Sequence, residues 1–80
     1  MEWAVTSEGT PLCKFIKRAQ NNAVGTFWVK YDDIGKLQRL AGSYATRAGR
    51  TTSCKSYPLV DKDEVSYVVF IEVKDKDEDL

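Results

Sequence analysis

Residues 32–50 read DDIGKLQRLAGSYATRAGR, and this stretch decides the fold. Ile34, Leu37, Ala41, Tyr44, Ala45 and Ala48 recur at steps of three and four. A helix over 34–48 gathers them into one apolar stripe, which must face a core. Asp32 or Asp33 supplies a cap at its start, and Gly49 suits the left-handed position just past its end. On the opposite side, a rotation of about 100° per residue brings Lys36, Arg39, Ser43, Arg47 and Arg50 into one line. That line holds four cations and no acid. A solvated helix face usually mixes signs, because opposite charges three or four residues apart support the helix and like charges oppose it. The uniform sign points to an anionic partner.

Between the apolar stripe and the basic line, Gly35, Gly42 and Gly49 recur every seven residues. Glycine inside a helix costs about 0.5–1 kcal/mol relative to alanine, so a close neighbour is expected along this flank. Another helix, strand or subunit would fit there, as would a phosphate backbone running beside the arginines.

Working outward, 80 residues make one domain with one sheet and one or two helices. A core of that size supplies on the order of 3–5 kcal/mol, so self-association to a homodimer is an open arrangement from the start. Cys13 and Cys54 are the only cysteines and there is no histidine. With no secretory run at Met1, the thiols are expected to be reduced and the protein cytoplasmic, a Cys13–Cys54 disulfide being the lesser alternative. No apolar run is long enough to cross a bilayer.

The net charge is zero, but it is unevenly distributed. Residues 1–56 carry nine Lys and Arg against four acids, and residues 57–80 carry three against eight. The body over 1–56 is therefore basic and the segment 57–80 acidic, and a single domain over 1–74 is expected to end in an acidic, mobile tail over 75–80.

N-terminal to the long helix, Thr10 and Pro11 make a helix opening, and Leu12, Phe15, Ile16 and Ala19 give helical spacing over 11–20. A strand is the competing assignment there. Gly25 falls in the connection. Residues 26–31, TFWVKY, read as a strand with Phe27, Val29 and Tyr31 on one face and Trp28 and Lys30 on the other. C-terminal to the helix, residues 50–57 make a strand, Pro58 and the charged run to Glu64 make a wide turn, and residues 65–74, VSYVVFIEVK, make the strongest strand. Both of its faces are apolar in the middle, as an interior strand requires. The predicted class is α+β, a three-stranded antiparallel sheet packed on the 34–48 helix.

Little in the chain points to catalysis. The commonest general base is missing, the cysteines lie 41 positions apart, and Asp61, Asp63 and Glu64 lack the glycine and distal glutamate of a calcium loop. The glycines match no phosphate or dinucleotide fingerprint. A non-enzymatic protein without metal or cofactor is expected. The constellation that remains is cations with aromatics. Lys36, Arg39, Arg47 and Arg50 give the row, Lys55 and Lys30 extend it from the neighbouring strands, and Trp28 and Phe70 share the second sheet face. Rows of Lys and Arg neutralise phosphates without choosing a sequence. If no helix covers the second face, Trp28 and Phe70 make a platform for unpaired bases; otherwise they pack beneath the first helix or in a dimer. The expected partner is thus nucleic acid, DNA or RNA. The alternative is an acidic patch on a protein, as used by accessory inhibitors or adaptors of phage or plasmid type.

Overall fold

The computed structural model describes residues 3–61 and 64–76. Its elements run α1 (Leu12–Arg18), β1 (Ala23–Lys30), α2 (Tyr31–Arg47), β2 (Arg50–Asp61) and β3 (Glu64–Asp75). The three strands form one antiparallel sheet in the order β1-β3-β2, so the most apolar strand takes the middle. This is the α+β architecture that the periodicities predict.

Leu37, Ala41 and Ala45 are the buried residues of α2, with Ile34 and Tyr44 partly buried beside them. They meet Phe27 and Val29 of β1 and Val69, Ile71 and Val73 of β3 in one core. Leu12 and Ile16 of α1 belong to the same core, and the Phe15 ring meets Phe27 edge-on with centroids 6.0 Å apart. Phe27 points to the α2 side of the sheet, so both helices lie on one face. The other face has no helix over it among the described residues.

Several boundaries differ from the sequence-based ones. α2 starts three residues earlier than expected, with Lys30 at the cap and no side-chain capping bond. Asp32 and Asp33 lie in its first turn, where carboxylates favour the positive end of the helix dipole. Its end is as expected: Gly49 stands at φ +69° just beyond Ala48, although Ala48 itself is exposed. α1 is shorter than 11–20, and Pro11 is its cap rather than its first helical residue. The Leu12 N–H donates to the Ala4 carbonyl at 2.9 Å, which takes over the role assigned to Thr10. Gly25 lies within β1, not in the connection.

The wide turn expected at Pro58 is instead strand, with β2 continuing to Asp61 opposite Glu64. β2 is an edge strand, where proline is tolerated when its nitrogen faces away from the ladder. Asp75 does not open a loose tail. It ends β3, its N–H donates to the Asn21 side-chain oxygen at 2.8 Å, and its carboxylate holds Arg50. The expected acidic tail beyond Lys76 lies outside the described residues.

Arg50 ties three elements together. Its Nε donates to Asp75 Oδ1 at 2.8 Å, and a terminal nitrogen donates to the Ile16 carbonyl at 2.7 Å. That carbonyl is among the last of α1, which no helical N–H can satisfy. The Arg50 side chain is 12% exposed and that of Asp75 45%, so the pair is half screened by solvent. Arg50→Ala is therefore expected to lower unfolding stability by about 1–2 kcal/mol, below the full value of a buried charged bond. Urea unfolding checks this; an unchanged midpoint would mean that the pair contributes nothing.

Candidate nucleic-acid interface

Strand alternation and register build the uncovered face. On β1 the outward residues are Val24, Thr26, Trp28 and Lys30, because Phe27 and Val29 go to the core. Trp28 lies opposite Val68 of β3, and Tyr57 of β2 lies opposite the same Val68 from the other side. Two residues along β3, Phe70 is flanked by Thr26 and Lys55. Trp28, Tyr57 and Phe70 thus form a triangle on one face, at 53%, 49% and 37% exposure. Tyr57 and Phe70 meet edge-on at 5.9 Å. Val68, between Trp28 and Tyr57, is buried although no helix among the described residues lies above it.

Three lysines surround this triangle. Lys55 stands beside Phe70, Lys30 lies two residues beyond Trp28 on β1, and Lys74 lies two rows below Phe70 on β3. Glu72 separates Phe70 from Lys74 on the same face, with a carboxylate oxygen 3.9 Å from Lys74 Nζ. The face is positively charged at its rim and carries one acid toward its lower end.

The eight residues expected to form a single site are divided between two layers. Trp28, Phe70, Lys30 and Lys55 share the open sheet face. Lys36, Arg39 and Arg47 are exposed on the side of α2 opposite its buried stripe, across the molecule from that face. The ion pairs among the described residues are Arg50–Asp75 and Lys74–Glu72, so these three cations have no carboxylate partner there.

Arg50 leaves the row. It belongs to β2, and both of its described contacts are internal. The early start of α2 also places Asp32 one turn before Lys36 on the same side, so the helical row is three cations with an acid at one end. Two residues of the open face, Tyr57 and Lys74, were absent from the expected set. Both share the odd–even parity of Lys55 or Phe70 and lie inside the predicted strands 50–57 and 65–74, so alternation alone was signal enough to find them.

The glycine flank also differs from expectation. A Cβ built on Gly35 or Gly42 would meet no atom within 4 Å, so nothing described in this chain packs there. Cys13 and Cys54 are both free thiols. Burial pushes the Cys54 thiol above its ordinary value, which makes its thiolate scarce near neutrality. No helix among the described residues is long and apolar enough to cross a membrane. In comparisons with family models, curated proteins and solved structures, the chain matches none.

Proposed function

We propose that this protein binds single-stranded nucleic acid without catalysing a reaction, and that the strand lies on the open sheet face. The observation that carries the proposal is the triangle of Trp28, Tyr57 and Phe70, half exposed on a sheet layer that no helix among the described residues covers. Unpaired bases stack on such rings, each contributing about 1–3 kcal/mol, and every base offers a π face. Lys30, Lys55 and Lys74 stand at the rim where the backbone phosphates would pass. A duplex hides its base faces and gains only the phosphate contacts.

Titration with oligothymidylate, oligouridylate and a mixed-sequence duplex, followed by the tryptophan emission of Trp28 together with Trp3, tests this. Single strands are expected to quench the emission and the duplex to bind more weakly. Three lysine–phosphate contacts predict a fall of log affinity with log salt of slope about −2 for a single strand. No binding of either single strand at low salt would overturn the proposal.

A second function is favoured by the cations Lys36, Arg39 and Arg47 on α2, which pair with no acid among the described residues. An acidic protein surface or a duplex backbone fits that row, whereas base stacking does not. Arg39→Ala with Arg47→Ala separates the two. If the sheet face is the site, the double change costs single-strand affinity less than Trp28→Ala does. If the helix is the site, the order reverses.

A further inference from the structure

β2 forms one edge of the sheet, and among the described residues no strand pairs with its outer side over Arg50–Asp61. The opposite edge is partly occupied, because the Ser7 N–H donates to the Thr26 carbonyl at 2.9 Å. The register fixes which β2 groups face outward. The Lys76 N–H donates to the Gly49 carbonyl at 3.4 Å, which makes the pair just before Arg50 and Asp75 a hydrogen-bonded one. Such pairs alternate along an antiparallel ladder. Thr51, Ser53, Lys55, Tyr57 and Leu59 therefore bond to β3, while Thr52, Cys54 and Ser56 present their N–H and C=O groups to the open edge. Pro58 falls in the outward set, where its missing N–H takes nothing from the sheet.

The small flank of α2 lies on the same side of the molecule. Gly35 and Ser56 line one shallow hollow between α2 and β2. Gly42, two turns on, continues the flank, and nothing lies within 4 Å of a Cβ at either glycine.

We infer that the chain forms a two-fold dimer by antiparallel pairing of β2 with β2 of a second copy, centred on Cys54, with the two Gly35–Gly42 flanks facing each other. This centring sets Thr52 opposite Ser56 of the second copy and Lys55 opposite Ser53. Outward amides then meet outward carbonyls, and no like charges face one another. Centring on Lys55 would set two lysines opposite each other. Centring on Ser56 would bring Pro58, which has no N–H to give, opposite Cys54 near the middle of the pairing. Centring on Cys54 leaves the proline near the end of β2 opposite Arg50, where one bond is lost in each half. The result is a six-stranded sheet with both aromatic triangles on one continuous face, and it explains why two helix positions that favour alanine are glycine. It does not depend on the nucleic-acid proposal.

Light scattering and sedimentation equilibrium are expected to give twice the chain mass of 9.1 kDa. In a hydrogen-bonded pair the two Cys54 Cα atoms would stand about 5.5 Å apart, within reach of a disulfide. Oxidation with copper phenanthroline in mildly alkaline buffer should therefore join the copies. The two thiols give up two protons and two electrons to the oxidant as the S–S bond forms. Cross-linking is expected to survive Cys13→Ser and to vanish with Cys54→Ser.

Ser56→Pro removes an outward N–H and leaves the β3 ladder whole. It should raise the dimer dissociation constant at least about tenfold, since a bond is lost in each half of the interface. Gly42→Lys reaches the same end without touching a strand, because the single chain has open space there. A single-chain mass at millimolar protein overturns the inference. So does a dimer that both variants leave intact, or one that Cys54 does not cross-link.

Discussion

Gly25→Val is expected to cost on the order of 3 kcal/mol, most of what a domain this small holds in reserve. The reason is a ring. A Cβ at Gly25 would stand 2.8 Å from Phe15 Cζ and 2.9 Å from Cε2, far inside contact distance. Phe15 is only partly buried, but its helix and its ring are both held. Leu12 and Ile16 on the same helix are buried in the core, and the ring itself packs against Phe27. Valine would add two methyl groups to the clash, so either the ring leaves its seat or α1 lifts from the sheet. Losing the packing of a fully buried phenylalanine costs about 3–5 kcal/mol, and Phe15 is only partly buried, so the loss stays below that range's upper end.

Thermal unfolding checks it, with a fall of roughly 4–8 °C for each kcal/mol. Gly25→Ala should cost less, and adding Phe15→Ala should recover part of the loss, as residues in contact give non-additive effects. An unchanged midpoint for Gly25→Val would show that α1 does not sit as described.

Gly25 also shows where the sequence stops being legible. A glycine after Asn21 and Asn22 has the signature of a connection; its pairing opposite Ile71 makes it a strand position, and Phe15, ten residues earlier, leaves no space for a side chain on it. Periodicity carried the long helix, because Leu37, Ala41 and Ala45 need nothing but spacing to declare a face. Alternation of β-branched and aromatic residues carried β3. The start of α2 was hidden, since Tyr31 is as good a strand residue as a helical one and no capping side chain marks the boundary.

Pro58 misled for a related reason. Proline ends a central strand, but at an edge its nitrogen can face solvent, and the sequence does not say which strand is the edge. The basic row was drawn by carrying helical rotation past Gly49. The left-handed turn at that residue breaks the rotation, so Arg50 starts a strand instead and finds Asp75. The shared face of Trp28 and Phe70 followed from alternation alone. Whether a helix covered that face depended on where α1 packs, and the core residues Leu12 and Ile16 place it on the other side.

Replacing Trp28 and Phe70 together by alanine is expected to lower single-strand affinity by about 2–6 kcal/mol, one stacked base at about 1–3 kcal/mol for each ring. In dissociation constants this is a loss of between about 30-fold and more than 10,000-fold. The upper end would be reached only if both rings hold bases at the same time. Geometry favours that outcome. The rings are diagonal neighbours on adjacent strands, and diagonal positions lie within reach of aromatic side chains, at about 7–8 Å between Cα atoms. One extended strand can therefore engage both.

The fold should tolerate the change better than binding does. Both side chains are more than a third exposed, and the core lies on the other face of the sheet. Val68 loses a neighbour in Trp28, so a small drop in unfolding temperature is expected. Salt dependence separates stacking from charge. The double variant should keep the slope of the parent, because its lysines are intact, while its affinity falls at every salt concentration. Lys30→Ala with Lys55→Ala should do the reverse, flattening the slope and leaving the residual affinity at high salt nearly unchanged. Equal behaviour of the two variants would mean that the rings and the lysines do not serve one ligand on this face.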